Sequence, residues 1–162
     1  MSERWKPNVT VAAVIERSIA GEREFLLVEE HTPEGLRLNN PAGHLERGET
    51  PEQAVVREAL EETARVFTPR HLIGVYLSRV QRPRGDVTYL RFAYAGEVGD
   101  ADPGRRLDTG IVRTAWFSLA EVRASRARHR SDLVLRCIAD HCAGRALPLD
   151  SVYASPTIFE RR

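Results

Sequence analysis

The sequence has few of the residues that define several large protein classes. Its two cysteines, Cys137 and Cys142, are spaced for neither a disulfide framework nor a zinc site, so we expect reduced packing residues. The 24 Lys and Arg residues nearly balance the 23 Asp and Glu residues. This leaves no global attraction to nucleic acid or an anionic membrane. The first apolar run, Val9–Ile15, is far too short to span a bilayer. We therefore expect a cytoplasmic protein with local rather than global electrostatics.

What the sequence does contain is enough for one globular domain. Its 162 residues, 42% of them hydrophobic, can close a core around a site. We expect a single domain over residues 1–162, with a core of about residues 8–147 and a C-terminal tail of residues 148–162. No repeat, low-complexity tract or linker interrupts it.

Hydrophobic patterning predicts five strands. Two runs rich in β-branched residues, Val9–Ile15 and Phe25–Val28, are joined by a polar stretch and predict a hairpin. The segment from Pro33 to Pro41 has the composition of a loop. Further strands are predicted at Leu72–Val80, Val87–Val98 and Val112–Phe117.

Capping signals predict three helices. Thr50 precedes a proline and a glutamine in the pattern of a capping box, and Ser118 begins a similar box. Ser131 is a candidate cap for a third helix, which Gly144 would end. The order of elements predicts an α+β domain with a mixed sheet flanked by helices.

The first of these predicted helices carries the chemistry. At about 100° of rotation per residue, Glu58, Glu61 and Glu62 share one side of the first helix. An apolar stripe lies opposite and can pack on a sheet: Val55, Val56, Ala59 and Leu60. Carboxylates at this spacing repel unless a cation joins them, and hard oxygen ligands suit Mg²⁺ or Mn²⁺. A solvated acidic face is the alternative.

The loop before this helix favours the metal. Gly43, Glu49 and the run Arg57–Glu62 match the Nudix box, Gly-x5-Glu-x7-Arg-Glu-apolar-x-Glu-Glu-x-Gly-apolar. The chain therefore resembles the Nudix hydrolase family. It departs at two positions, where Ala64 replaces the usual glycine and Arg65 the apolar residue. A left-handed backbone at Ala64 would cost about 1 kcal/mol.

Four further segments are similar to the bacterial phosphatase NudJ subgroup of that family: Asn40–Glu46, Tyr89–Phe92, Ala115–Phe117 and the run from Arg130 to Arg136. The resemblance implies an α/β/α sandwich around a mixed sheet. It also implies Mg²⁺-dependent hydrolysis, with Mn²⁺ as an alternative ion, of nucleoside tri- and diphosphates or of thiamine-pathway diphosphates. The ions would neutralise phosphate charge and align a water for attack on phosphorus.

Metal ligands can be carried over position by position. The resemblance implies that Glu58 and Glu62 bind metal directly, that Glu61 binds directly or through water, and that the Ala42 carbonyl adds a contact. Many family members take one more acidic ligand from a later loop. Asp108 is the candidate here, and a plain turn aspartate is the alternative.

Catalytic support is implied in the same way. Arg57 would orient the glutamates through charge-assisted hydrogen bonds, with Glu49 as its structural partner. Glu61 or Glu62 is the simplest acceptor for the proton of the attacking water.

Substrate contacts are expected from Gly43 and His44 in the loop and from Arg79 and Arg91 on strands. Bracing of the loop by His44 and solvent exposure of the two arginines are the alternatives. The basic stretch Arg123–Arg136 is either a solvated face or a binding surface for an acidic group of the substrate.

Three functions remain open at this stage. A phosphatase would release inorganic phosphate, whereas a pyrophosphatase would split X-diphosphate-Y compounds such as ADP-ribose into two monophosphates. Release of pyrophosphate from triphosphates is a variant of the second. A non-catalytic nucleotide-binding regulator is the third, although such domains usually lack box carboxylates. The expected partner is a small phosphorylated molecule, with neither nucleic acid nor membrane, and the protein is a monomer or a homodimer.

Overall fold

The computed structural model describes residues 4–160, and the extreme ends of the predicted domain, residues 1–3 and 161–162, lie outside it. The strands are β1 (Asn8–Ile19), β2 (Glu22–Thr32), β3 (Gly35–Asn39), β4 (Ala42–His44), β5 (Phe67–Val80), β6 (Val87–Val98) and β7 (Ile111–Ser118). The α-helices are α1 (Pro51–Thr63), α2 (Leu119–Ala124) and α3 (Leu133–Cys142). Short 3-10 helices span Arg126–Arg128, Leu149–Ser151 and Pro156–Phe159. None of the helices in the described residues is long and apolar enough to cross a membrane.

The predicted mixed sheet is confirmed. Its strand order is β3-β2-β1-β6-β5, with β4 added beside β1 and β7 beside β2. The β1 and β6 strands are parallel, and the other pairs are antiparallel. Strand β1 is therefore central, because it bonds to β6 along one edge and to β4 and β2 along the other.

The predicted hairpin forms, but its apolar runs do not pair with each other. Only Glu16–Ile19 of β1 bonds to Glu22–Phe25 of β2, around the turn at Ala20 and Gly21. Beyond this point β1 continues between β4 and β6, whereas β2 continues between β3 and β7. Each apolar run thereby gains two partner strands, which one hairpin could not supply.

The loop predicted from Pro33 to Pro41 was wrong over Gly35–Asn39. This segment is β3, which returns from β2 through a two-residue turn and pairs with it from Thr32 to Val28. Strand β5 also begins at Phe67 rather than Leu72 and includes Pro69, because the buried Phe67 ring anchors this end in the core. Proline fits here because β5 is an edge strand.

Helices cover both faces of the sheet, as the sandwich prediction requires. On one face α1 packs through Ala54, Val55 and Ala59. On the other face α3 packs through Val134, Cys137 and Ile138, beside Val122 of α2. Both cysteines are free, as predicted.

The start of the third helix differs by one residue from its prediction. Asp132 occupies the N-cap position without a side-chain cap, and the Ser131 hydroxyl instead accepts the Leu133 N–H at 3.3 Å. Gly144, with a φ of 85°, follows the helix end as expected. In the tail, Leu149 and Val152 pack against the core on the α1 face.

Candidate active site

The predicted capping box sets the start of α1. The Thr50 hydroxyl accepts the Gln53 N–H at 3.1 Å, and the Gln53 side chain accepts the Thr50 N–H at 2.9 Å. With Pro51 at the first helical turn, this fixes where the loop ends and the helix begins. The loop of residues 45–49 therefore ends at a fixed position beside the side of α1 that carries the carboxylates.

Two backbone contacts join the other end of this loop to α1. The Ala42 N–H donates to the Glu62 carboxylate at 3.0 Å, and β4 holds Ala42 opposite Ala12 of β1. At the next residue, Gly43, any side chain would overlap the Glu58 carboxyl group. Glycine is required there because the backbone approaches the carboxylate without room for a Cβ.

Arg57 uses every donor it has within the protein. Its Nε and Nη2 donate to Glu49 at 3.1 and 2.7 Å, and Nη2 also donates to the His44 carbonyl at 3.0 Å. Its Nη1 donates to Glu58 at 2.8 Å and to Glu61 at 3.2 Å. Five N–H donors meet five acceptors, so Arg57 ties the loop to the carboxylates and has no hydrogen left for a ligand.

The carboxylates of this group are buried and repel one another. Burial is the main cause that raises the pKa of Glu62 to about 8; the charges of Glu30, Glu58 and Asp108 act in the same direction, and the Ala42 N–H opposes them. Burial likewise raises the pKa of Glu58. Both side chains stand at 8% exposure. A cation placed among them would remove this repulsion.

Asp108, the candidate acid from a later loop, lies beside the end of α1. Its N–H donates to the Glu61 carbonyl at the end of α1 at 2.9 Å, and its carbonyl accepts the Ile111 N–H at 3.1 Å. Its charge raises the pKa of both Glu58 and Glu62. The side chain is thus close to the carboxylate group, although it comes from a loop far away in sequence.

Glu30 belongs to the same neighbourhood and was not predicted. It lies near the end of β2, where its charge raises the pKa of Glu62. The predicted strand ended at Val28, so the alternation that puts Glu30 on the face of Leu26 and Val28 was not followed far enough.

The predicted substrate residues are spread over the sheet. His44 is exposed beside Thr10, with its ring 6.3 Å from that of Tyr89. Arg91 lies opposite Thr10 and Tyr76 on the face that α3 covers. Its side chain is 7% exposed.

Arg79, by contrast, lies near the exposed end of β5. Its guanidinium is within 3.5 Å of Asp86. It is three residues from Tyr76 along a regular stretch, so it points to the face opposite Arg91.

The carboxylate group fits a hard divalent ion by donor type. Among residues 4–160, no three His, Cys, Asp or Glu side chains are already arranged as metal ligands. Glu58 and Glu61 accept hydrogen bonds from Arg57, and Glu62 accepts one from the Ala42 N–H. These side chains would have to change rotamer before they could bind a metal ion. Carboxylate oxygens are nevertheless the donors that Mg²⁺ prefers, and a bound cation would favour their ionised form over the protonated form that burial favours.

The site is a glycine-containing loop bound to a capped acidic helix, and both lie on a mixed sheet between helices. This loop-helix arrangement is typical of a class of hydrolases that act on phosphates. Residues 6–137 match the family model described as NUDIX domain, and the chain belongs to this family of hydrolases. Phosphatase NudJ of Escherichia coli (strain K12) is 36% identical over 149 residues, covering 91% of this chain and 92% of that protein.

Solved structures agree with the fold. A NUDIX hydrolase from Nitrosomonas europaea is 52% identical, with a TM-score of 0.83, and covers 93% of this chain and 98% of that one. The NUDIX domain of Shewanella oneidensis NrtR, solved with ADP ribose, is 18% identical with a TM-score of 0.67, over 86% of this chain and 90% of that one, and shows the fold alone. The predicted family, fold class and hydrolase activity are confirmed.

Proposed function

We propose that this hydrolase is a Mg²⁺-dependent phosphatase that releases inorganic phosphate from nucleoside tri- or diphosphates or from thiamine-pathway diphosphates. The observation that carries the proposal is the buried carboxylate pair, Glu58 and Glu62, held against the backbone of Gly43. The similarity to Escherichia coli phosphatase NudJ supports phosphate release as the chemistry.

The carboxylates have distinct places around the ion. Glu58 and Glu62 are the direct ligands, Glu61 binds directly or through water, and the Ala42 carbonyl completes the loop side. Asp108 adds an acid from the opposite loop, since its charge already acts on both direct ligands. Bound Mg²⁺ supplies neutralisation of phosphate charge and activation of water.

The remaining box residues position these ligands. Arg57 and Glu49 hold the loop at a fixed distance from α1, so the backbone of Ala42 and Gly43 stays beside the carboxylates while their rotamers change to bind the ion. Glu61 or Glu62 accepts the proton of the attacking water. Mn²⁺ has the same ligand preference and would substitute for Mg²⁺.

Substrate binding draws on the loop and the sheet. Gly43 lets the phosphate chain approach the backbone, and His44 stands exposed at the loop edge. Arg91 is the favoured sheet arginine, because its buried Nε and Nη1 meet no nitrogen or oxygen acceptor in residues 4–160 and have only the Cys137 thiol, a weak acceptor, beside them. A buried donor without an acceptor is costly, so a ligand oxygen there would stabilise it. Arg79 contacts Asp86 on the other face and ranks second.

We further propose that the protein acts in the cytoplasm on a small phosphorylated molecule, as a monomer or a homodimer. Its nearly balanced charge supports a small-molecule partner over nucleic acid or a membrane surface.

The test is a panel of nucleotides and diphosphates assayed with Mg²⁺, for the wild type and for Glu58→Gln and Glu62→Gln. We expect each substitution to lower kcat by about 100- to 1000-fold, the usual loss when one charge-stabilising group is removed. Glu52→Gln is the matched control, because Glu52 is on the same helix but in its first turn. Unchanged turnover in both site variants would defeat the metal assignment.

Product analysis separates phosphatase from pyrophosphatase. Inorganic phosphate supports the proposal, whereas two monophosphates or pyrophosphate would identify the other hydrolytic chemistries. Mg²⁺ binding without turnover of any substrate would indicate a nucleotide-binding regulator.

A further inference from the structure

A second arginine, Arg130, pairs with Glu30 near the carboxylate group. The end of β2 carries adjacent glutamates that point to opposite faces. Glu30 extends the face of Leu26, which packs against α1, and lies within 2.9 Å of Arg130. Glu29 faces the other way and binds Arg128 at 2.7 Å.

Backbone contacts fix Glu30 beside the site. Its partner on β7 is Ile111, whose N–H donates to the Asp108 carbonyl. Asp108 in turn donates to the Glu61 carbonyl at the end of α1. The end of β2, the start of β7 and the carboxylate end of α1 are therefore tied together. The effect of Glu30 on the pKa of Glu62 agrees with this placement.

Arg130 has a fixed backbone and a partly exposed head group. Its N–H donates to the carbonyl of buried Leu38 at 2.8 Å, next to a bridge between Leu38 and His129. The side chain is 36% exposed, and its Nη1 forms an ion pair with Glu30 Oε1 at 2.9 Å. Guanidinium has five N–H donors, so this one contact leaves donors of Arg130 available to a ligand.

The two arginines therefore differ in what they can bind. Arg57 has spent its five donors on protein acceptors, whereas Glu30 is the one carboxylate within 4.0 Å of Arg130 in the described part of the chain. A planar guanidinium with available N–H donors can bind two oxygens of a phosphoryl group at once. Arg130 is such a group beside the carboxylates that are proposed to bind the metal.

We propose that Arg130, aligned by Glu30, contacts the phosphoryl oxygens of the substrate bound beside the carboxylate group, an inference that rests on the proposed function. Arg130 is then a catalytic residue, and Glu30 is a positioning residue that acts through it. The basic stretch around Arg130 thereby includes one phosphate contact and one neighbour, Arg128, that pairs with Glu29 of the sheet.

The test compares Arg130→Gln, Arg130→Lys and Glu30→Gln with Arg128→Gln, a matched control from the same loop whose glutamate faces away. Methylenediphosphonate, a diphosphate that cannot be hydrolysed at its bridge, is titrated in saturating Mg²⁺. Mg²⁺ alone is titrated separately. Kinetic constants are measured with the best substrate of the panel, and melting temperatures confirm folding.

We expect Arg130→Gln to weaken diphosphonate binding about tenfold or more, as for loss of a charge-assisted pair. Mg²⁺ affinity should stay within about threefold, because Arg130 is not a metal ligand. Arg130→Lys should recover part of the loss, since lysine keeps the charge but not the paired donors. Glu30→Gln should give a smaller loss, and Arg128→Gln should match the wild type.

Two results would overturn this inference alone. Diphosphonate binding by Arg130→Gln equal to that of Arg128→Gln would remove the phosphate contact. An equal loss of Mg²⁺ affinity would make Arg130 a support of the metal site instead. A wild type that binds neither Mg²⁺ nor diphosphonate and hydrolyses nothing would overturn the proposed function, and the Arg130 contact with it.

Discussion

Two alanines adopt a left-handed backbone conformation. Replacing each with glycine tests how much this conformation lowers the free energy of unfolding. Ala20, with a φ of 50°, lies in the turn between β1 and β2, and Ala64, with a φ of 55°, ends α1. A residue with a Cβ is less stable than glycine in this region by about 1–2 kcal/mol. The greater freedom of glycine in the unfolded chain offsets about 0.4–1 kcal/mol of that difference.

The two positions differ in burial, and this sets the expected sizes. Ala20 is exposed, so Ala20→Gly loses no packing and should raise the free energy of unfolding by about 0.5–1 kcal/mol. Ala64 is 5% exposed, and its methyl group contributes about 0.8 kcal/mol of burial. Ala64→Gly should therefore stay within about 0.5 kcal/mol of the wild type.

The assay is urea denaturation of both variants in EDTA, with the midpoint compared at constant m. In thermal melts, Ala20→Gly should raise Tm by roughly 1–4 °C. A larger gain from Ala64→Gly than from Ala20→Gly would refute the balance of backbone strain against a buried methyl. That balance explains how alanine replaces the usual box glycine at position 64.

Two further predictions concern the site. Gly43→Ala should lower kcat/KM by roughly 100-fold and destabilise the fold by about 1–3 kcal/mol, because the new methyl overlaps the Glu58 carboxyl group; wild-type kinetics would contradict that contact. In EDTA, folded Glu62, with a pKa of about 8, holds its proton while the unfolded chain releases it near pH 4.5, so stability falls as pH rises between these values. Glu62→Gln should reduce this slope and be roughly 1–3 kcal/mol more stable at pH 7.5, and equal slopes in urea melts would contradict the shift.

The local part of the site could be predicted from sequence because its residues are neighbours in the chain. The capping box at Thr50 and the shared side of Glu58 and Glu62 belong to one helix, and helix geometry alone relates them. Gly43 was singled out through the family resemblance, and its close approach to Glu58 depends on the pairing of β4 with β1. Asp108 was also placed near them through the family resemblance rather than from any periodicity.

Contacts that depend on strand pairing could not be predicted. The runs Val9–Ile15 and Phe25–Val28 were predicted to pair as one hairpin because they are close in sequence. Each instead pairs with a strand that lies much later in the sequence. Alternation along β2 would have put Glu30 on the α1 face, but Arg130 reaches it only because β3 exists where a loop was expected. Pairing partners of a strand are a tertiary property that its own residues do not encode.

The parallel pairing of β1 with β6 has a consequence for the order of assembly during synthesis. Asn8 pairs with Tyr89 and Ile15 with Gly96, so the first strand must wait for a segment made after the box helix. A nascent chain that stops before Val87 already contains Glu58, Glu61 and Glu62. It lacks β6, the strand that pairs with β1 in the sheet beneath α1. The sheet that carries α1 can therefore form only after β6 has left the ribosome, because long-range pairing forms only when both strands exist. The centre itself is complete later still, since Asp108 follows β6 in the chain.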